Sequence, residues 1–148
     1  MIVVVMGVTG CGKSTVGAAL AERLGWRFLD ADDFHPPANV AKMAAGTPLA
    51  DEDRWPWLDR LVSELRTIEA AGGNGVLACS ALKEAYRSRL GAAGDVRFVH
   101  LAGDAASLRA LRGWRRRHAV VGDDGLDPDA RLRGVASGQL HVHVVARV

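Results

Sequence analysis

A glycine-rich loop between an apolar strand and a helix constrains the fold of this chain more than any other feature. Residues 7–14 read GVTGCGKS, which fits the pattern G-x-x-x-x-G-K-[ST]. The apolar residues 2–6 before the loop predict a buried strand, and residues 15–24 after it favour a helix. In this order the loop N–H groups and the positive end of the helix dipole converge on a polyphosphate. A chance glycine-rich turn explains neither the Lys-Ser pair nor the strand.

The loop predicts contacts with ATP and Mg²⁺. Lys13 can reach the β- and γ-phosphates as a point charge, which makes it a candidate catalytic residue. The Ser14 hydroxyl can take one coordination position on Mg²⁺. The residues predicted to bind the nucleotide in this loop are Gly7, Thr9, Gly10, Cys11, Gly12, Lys13, Ser14 and Thr15.

The size and composition indicate one domain over residues 1–148. The 148 residues are 49% hydrophobic, enough for one core. The longest apolar run is far shorter than a membrane span, and the chain starts at Met1 with no basic segment before the loop. We therefore expect no membrane contact, a cytoplasmic location, and buried thiols rather than a disulfide at Cys11 and Cys79.

Strand and helix patterns alternate along the chain, which predicts an α/β fold of the P-loop NTPase type with a parallel sheet and helices on both faces. Ligands of such sheets bind at the carboxyl ends of the strands. The predicted strands cover residues 2–6, 26–30, 76–79 and 96–101. The predicted helices cover residues 14–24, 39–45, 53–71, 82–90 and 105–117.

An acidic segment follows the second predicted strand. A kinase needs one carboxylate to orient an attacking hydroxyl and accept its proton, and another to help hold Mg²⁺. Asp32 is the candidate base, and Asp30 is the candidate metal residue. The alternative is that these acids cap turns and helices, which suits Asp33 and could also apply to Asp30.

Five arginines between residues 109 and 117 give the last third of the chain its basic charge. They suggest a clamp on phosphates, with a solvated helix face or a nucleic-acid surface as alternatives. Aromatic residues make up only 5% of the chain and Trp114 alone lies among these arginines. This composition argues against a partner that is a single-stranded nucleic acid.

Five short motifs occur in a fixed order after the loop. They read LDADDFHP, NVAKM, GTPL, DRWPWL and CSALKxxYR, and with the loop they span about residues 2–104. Each is weak alone, but the ordered set resembles the gluconokinase family of small P-loop kinases and differs from shikimate and nucleoside kinases.

The resemblance implies a fold like that of nucleoside monophosphate kinases, a homodimer, and transfer of the ATP γ-phosphate to the 6-hydroxyl of D-gluconate. It places Asp32 near the attacking hydroxyl. A cationic clamp also suits the carboxylate of a sugar acid, and Arg54 can make a bidentate contact. The residues implied around the sugar acid are Asp32, His35, Lys42, Arg54, Lys83 and Arg87.

Three of these residues have alternative roles. Lys42 could lie on a solvated helix face, Arg54 could form a salt bridge to Asp51, and His35 could cap or pack. We expect Trp55 and Trp57 to pack rather than to stack on a ligand.

The resemblance weakens after about residue 118. Arg115, as a catalytic residue, and Arg112, as a nucleotide-binding residue, align with a basic lid of the family. Residues 119–148 lack the usual adenine-side segment and closing helix, which fits a divergent tail or an altered reading frame. His141 and His143 alternate as two metal ligands would, although solvent exposure is the stronger interpretation without a third ligand. The alternatives for function are a kinase for another sugar acid or a shikimate-like hydroxy acid, and a nucleotide-binding protein with impaired catalysis.

Overall fold

The computed structural model of the chain describes the backbone of residues 1–103 and 140–145 and the side chains of residues 1–101. The strands are β1 Ile2–Met6, β2 Arg27–Asp30, β3 Gly75–Ala78, β4 Val96–Gly103 and β5 Leu140–Val145. The helices are α1 Lys13–Leu24, α2 Pro37–Ala44, α3 Asp51–Ala70 and α4 Glu84–Gly91, and a 3₁₀ turn covers Ala31–Phe34. The predicted basic helix at residues 105–117 lies outside the described residues.

The strands form one sheet in the order β2-β3-β1-β4-β5. β1 pairs in parallel with β3 and β4, and β2 pairs in parallel with β3. The predicted parallel α/β sheet is thus confirmed for these four strands. β5 was not predicted, and it runs antiparallel to β4, with Gly103 opposite Leu140.

The core has two layers because side chains of β1 alternate between the faces of the sheet. Ile2 and Val4 belong to the larger cluster, which includes buried residues of α3 and α4 such as Leu61 and Leu90. Val5 belongs to the smaller cluster, on the side of α1. Helices therefore cover both faces, as predicted.

Three helices start two residues away from their predicted positions, for local reasons. α2 begins early, at Pro37, because proline suits the first position of a helix, where the backbone N–H has no partner within the helix. α3 begins two residues early, at Asp51, because the carboxylate of Asp53 accepts a hydrogen bond from Ala50 N (2.9 Å) and caps the first turn. α4 begins two residues late because Lys83 is still extended, with φ −80° and ψ 142°. No helix in the described part of the chain is long and apolar enough to cross a membrane.

This topology gathers three loops at one edge of the sheet. The phosphate loop follows β1, the acidic segment follows β2, and residues 79–83 follow β3. Because the three strands are parallel and adjacent, their carboxyl ends lie together. The candidate site residues with described side chains lie on these loops or on the helices that follow them.

Candidate active site

The phosphate loop has the backbone conformation of an anion cradle. Gly12 is left-handed, with φ +93° and ψ 15°, and directly precedes α1. Cys11 N donates to Val8 O (3.2 Å), which tightens the turn. A Cβ on Gly7 would come within 2.8 Å of Leu101 O and 2.9 Å of Cys11 Sγ. Gly7 is thus required because other atoms approach too closely for a side chain. Gly12 is required because its φ is positive.

Lys13 and Ser14 follow at the start of α1. Lys13 Nζ donates to Val8 O (3.1 Å), so its ammonium group lies back over the loop. Ser14 Oγ donates to Asp30 Oδ2 (2.6 Å), which joins the phosphate loop to the end of β2. Asp30 also caps the 3₁₀ turn, since its Oδ1 accepts from Asp32 N (3.1 Å). Asp30 can therefore cap the turn with one carboxylate oxygen and still present the other to a metal ion beside Ser14.

The pair of oxygen groups at Ser14 and Asp30 has the chemistry that suits Mg²⁺. This ion prefers hard oxygen ligands and binds through one or two protein groups together with phosphates and water. Within the described part of the chain, no three His, Cys, Asp or Glu side chains gather as a metal-binding cluster. The side chains of His141 and His143 are not among those described.

Asp32 and His35 lie on the turn beyond β2 with opposite exposures. The Asp32 side chain is 90% exposed, whereas that of His35 is 6% exposed, and His35 Nε2 lies 4.0 Å from Asp32 Oδ1. His35 stacks on Trp57, with ring centroids 4.3 Å apart. Trp57 is buried and its Nε1 donates to Ala31 O (2.8 Å), so Trp57 packs, as predicted.

Burial lowers the pKa of His35 below its ordinary value of 6.5, the Asp32 charge opposes this shift, and the Arg54 charge adds to it. The unfolded chain therefore binds a proton at His35 at a higher pH than the folded chain does. We expect the contribution of His35 to the free energy of unfolding to be complete above about pH 7.5 and to decrease as the pH falls from 6.5 toward the folded pKa.

Urea unfolding at several pH values between about 5 and 7.5 tests this prediction. The substitution His35→Gln should flatten the pH dependence of stability relative to the parent chain. His100→Gln is the control, since it removes another imidazole and leaves the contacts of His35 in place. An unchanged slope in His35→Gln would contradict the assignment.

The two candidate lysines pair with carboxylates at the start of α3. Lys42 Nζ lies 2.6 Å from Asp53 Oδ1, and Lys83 Nζ lies 2.6 and 2.7 Å from the two oxygens of Asp51. These hydrogen bonds are the main cause of the lowered pKa values of both aspartates. Asp51 is thus the partner of Lys83, and the alternative that paired it with Arg54 is wrong.

The two candidate arginines bind backbone carbonyls instead. Arg54 Nε and Nη2 donate to Leu49 O (3.4 and 3.3 Å). Arg87 Nη1 donates to the carbonyls of Ala81 (3.1 Å) and Leu82 (2.8 Å). Carbonyls orient a guanidinium group without neutralising its charge, so both arginines are held in place and still electropositive.

Tyr86 organises this cluster, a role that sequence reasoning missed. Its ring lies under two cations, with Lys83 Nζ at 5.4 Å and Arg54 Cζ at 5.7 Å from the centroid. Its hydroxyl donates to Asp51 Oδ1, and the ring of Trp55 packs edge-on against it. The motif CSALKxxYR places Tyr86 three residues after Lys83, and this spacing was the available signal in the sequence. It did not reveal that the Asp51 carboxylate binds both side chains.

The remaining predictions concern the two cysteines and the lid arginines. Cys11 and Cys79 are free and buried, as predicted, and burial raises the pKa of Cys79 to about 12, so it stays a thiol. The lid arginines Arg112 and Arg115 lie outside the described residues.

The chain is similar in sequence to known small kinases. The shikimate kinase family model matches residues 9–122. A gluconokinase of Gluconobacter oxydans is 53% identical over 159 aligned residues, which cover 96% of this chain and 85% of that protein. A probable gluconokinase of Xenopus tropicalis is 58% identical over 90 residues, 61% of this chain and 47% of that protein. The chain thus spans about half the length of this and two rodent relatives.

Two solved structures have a similar fold. A gluconokinase from Sinorhizobium meliloti has 37% identity and a TM-score of 0.69, covering 91% of this chain and 72% of that one. A sugar kinase from Janibacter sp. has 32% identity and a TM-score of 0.72, covering 93% and 92%. The family model, the long match to the Gluconobacter protein and the shared fold confirm the resemblance, and the chain belongs to the gluconokinase family of P-loop kinases.

Proposed function

We propose that this chain transfers the γ-phosphate of ATP to the 6-hydroxyl of D-gluconate and releases ADP and 6-phosphogluconate. One observation carries the proposal: the contact between Ser14 and Asp30 joins the phosphate loop directly to the segment that bears Asp32. A nucleotide on the loop would therefore have its terminal phosphate beside a carboxylate that can accept a hydroxyl proton. Membership of the gluconokinase family supports D-gluconate as the acceptor.

The loop residues supply the nucleotide half of the site. Backbone N–H groups around Gly12 bind the phosphate oxygens, and Lys13 neutralises charge on the β- and γ-phosphates. Ser14 and Asp30 would hold Mg²⁺, which neutralises developing charge on the phosphates when it is bound. Lys13 must leave the carbonyl of Val8 to reach the nucleotide, a rotation of an unbranched side chain.

Asp32 supplies the acceptor half. The bond that forms joins O6 of the sugar acid to the γ-phosphorus, and the bond that breaks joins that phosphorus to the bridging oxygen of ADP. The O6 proton passes to the Asp32 carboxylate. With 90% of its side chain exposed, Asp32 can reach a substrate without any part of the core moving.

The arginines Arg54 and Arg87 are the best clamp for the substrate carboxylate. Among the described residues neither guanidinium contacts a carboxylate, whereas Lys42 and Lys83 already do. A substrate carboxylate gains more from a cation without an anionic partner than from one that must exchange partners. Lys42 and Lys83 would contribute hydrogen bonds to the hydroxyls.

We expect Arg54→Ala to raise the KM for D-gluconate by about tenfold or more and to change kcat by less than about threefold, because it removes uniform binding of the substrate. The KM for ATP should not change. Arg66→Ala is the matched control: Arg66 lies on the same helix, is exposed, and donates to Ala92 O. Steady-state kinetics with each substrate varied in turn measures the effect. Weaker ATP binding with an unchanged KM for gluconate would contradict the clamp.

A coupled assay of ADP release tests the reaction itself. The panel contains D-gluconate, other sugar acids, shikimate and uncharged D-glucose, and NMR of the product locates the phosphate. D-Gluconate should give the highest kcat/KM. A higher value for another hydroxy acid would assign that substrate instead, and ATP binding without turnover would identify a nucleotide-binding protein with impaired catalysis. A homodimer in the cytoplasm is the expected state, and light scattering on the purified chain measures the oligomer.

A further inference from the structure

Asn39 occupies an unusual position for an amide. Of the described residues with charged or amide side chains, only Asn39 is buried, at 3% exposure. It is also the only buried residue of α2, whose other residues are all exposed. A buried amide is expected to be fully hydrogen-bonded, so the direction of its bonds carries information.

The contacts of Asn39 favour one tautomer of His35. Asn39 Nδ2 donates to the carbonyl of Asp53 (2.8 Å), and since a carbonyl only accepts, the atom there must be the amide nitrogen. The same nitrogen lies 3.4 Å from His35 Nδ1. An amide nitrogen only donates, so this contact favours His35 Nδ1 as the acceptor. A neutral imidazole that accepts at Nδ1 carries its proton on Nε2.

The nitrogen that would carry this proton lies near the candidate base. His35 Nε2 lies 4.0 Å from Asp32 Oδ1, too far for a hydrogen bond between them. A hydroxyl oxygen can lie about 2.8 Å from both atoms, which is the usual length for such contacts. It would donate to Asp32 and accept from His35, and its second lone pair would stay free to attack phosphorus.

We propose that Asn39 is a positioning residue that fixes His35 as an Nε2–H donor, so that His35 and Asp32 hold the acceptor hydroxyl between them. The inference rests on the proposed function for the identity of that hydroxyl, but the state of His35 does not depend on it. Stacking on Trp57 keeps the imidazole ring in the required plane. His35 thus recognises the hydroxyl by donation and leaves proton acceptance to Asp32.

The tautomer can be measured without any activity assay. Long-range ¹H–¹⁵N spectra of the full chain distinguish a protonated Nε2 from a protonated Nδ1, and the His35 signals are those that vanish in His35→Gln. At about pH 7.5 the parent chain should show Nε2 protonated and Nδ1 bare. In Asn39→Asp a carboxylate replaces the donor, so Nδ1 should become protonated, with Asp32 and Arg54 as the other charges near the ring. A parent chain with Nδ1 protonated would overturn the proposal, whatever its activity.

Kinetics then tests the positioning role. Asn39→Asp and Asn39→Ala should each lower kcat with D-gluconate by about tenfold or more and leave the KM for ATP within about threefold. Ala41→Gly is the control, because it weakens α2 and keeps both bonds of Asn39. If Ala41→Gly lowers kcat as much, or if both Asn39 variants keep full kcat, Asn39 only anchors the helix and the proposal fails. A parent chain inactive on D-gluconate would refute the proposed function and leave the spectra to decide the tautomer.

Discussion

Lys13→Ala will abolish measurable phosphoryl transfer in a chain that still folds. The ammonium group of Lys13 stabilises charge on the transferring phosphate, and removing such a group costs roughly 10²–10³ in rate or more. The side chain takes no part in either core cluster, and its ammonium group donates to the loop carbonyl of Val8. The loss should therefore appear in kcat and not in stability.

Turnover of ATP with D-gluconate and thermal unfolding of the same preparations measure the two effects of Lys13→Ala. Lys13→Arg is a useful companion because it keeps the charge and changes its shape, and it should recover only part of the rate. A folded Lys13→Ala protein with full turnover would remove the phosphate loop from the mechanism.

Asp32→Asn is expected to lower kcat by roughly 10² or more and to change the KM for ATP by less than about threefold. Asparagine keeps the shape of the side chain. It also keeps the backbone N–H that donates a hydrogen bond to Asp30, so only the carboxylate charge is lost. Proton acceptance matters in the transition state and not in nucleotide binding.

Asp33→Asn is the matched control for Asp32→Asn, because Asp33 is the next residue of the same turn and is also exposed. Its kcat should stay within about threefold of the parent value. Equal losses of kcat in the two variants would mean that the net charge of the turn matters and not Asp32 itself. Full kcat in Asp32→Asn would show that another residue is the general base.

The parts of this molecule that sequence predicts are those with a local cause. The loop at residues 7–14 and the apolar run of β1 are read from adjacent residues, and the alternation of elements implies a parallel sheet. Ser14 and Asp30 fall together because parallel strands place their carboxyl ends at one edge.

The parts that sequence reasoning missed depend on pairings between distant residues. Asp51 meets Lys83 across 32 positions, so the nearer Arg54 was the natural alternative partner by proximity alone. The role of Asn39 depends on the Asp53 carbonyl, a backbone group that no sequence pattern marks. β5 pairs with β4 although residues 104–139 separate the two strands in sequence, and its apolar run contains two histidines that hid the strand signal.

The antiparallel pairing of β5 also decides which backbone groups the sheet presents to other molecules. Without Leu140–Val145, β4 would be the outermost strand, and its row of N–H and C=O groups from Phe98 to Gly103 would lack partners on one side. An open strand of this kind is a template for strands of other chains and hence for aggregation. Residues Leu140–Val145 thus keep this edge of β4 from pairing with a strand of another chain, whatever their part in the reaction.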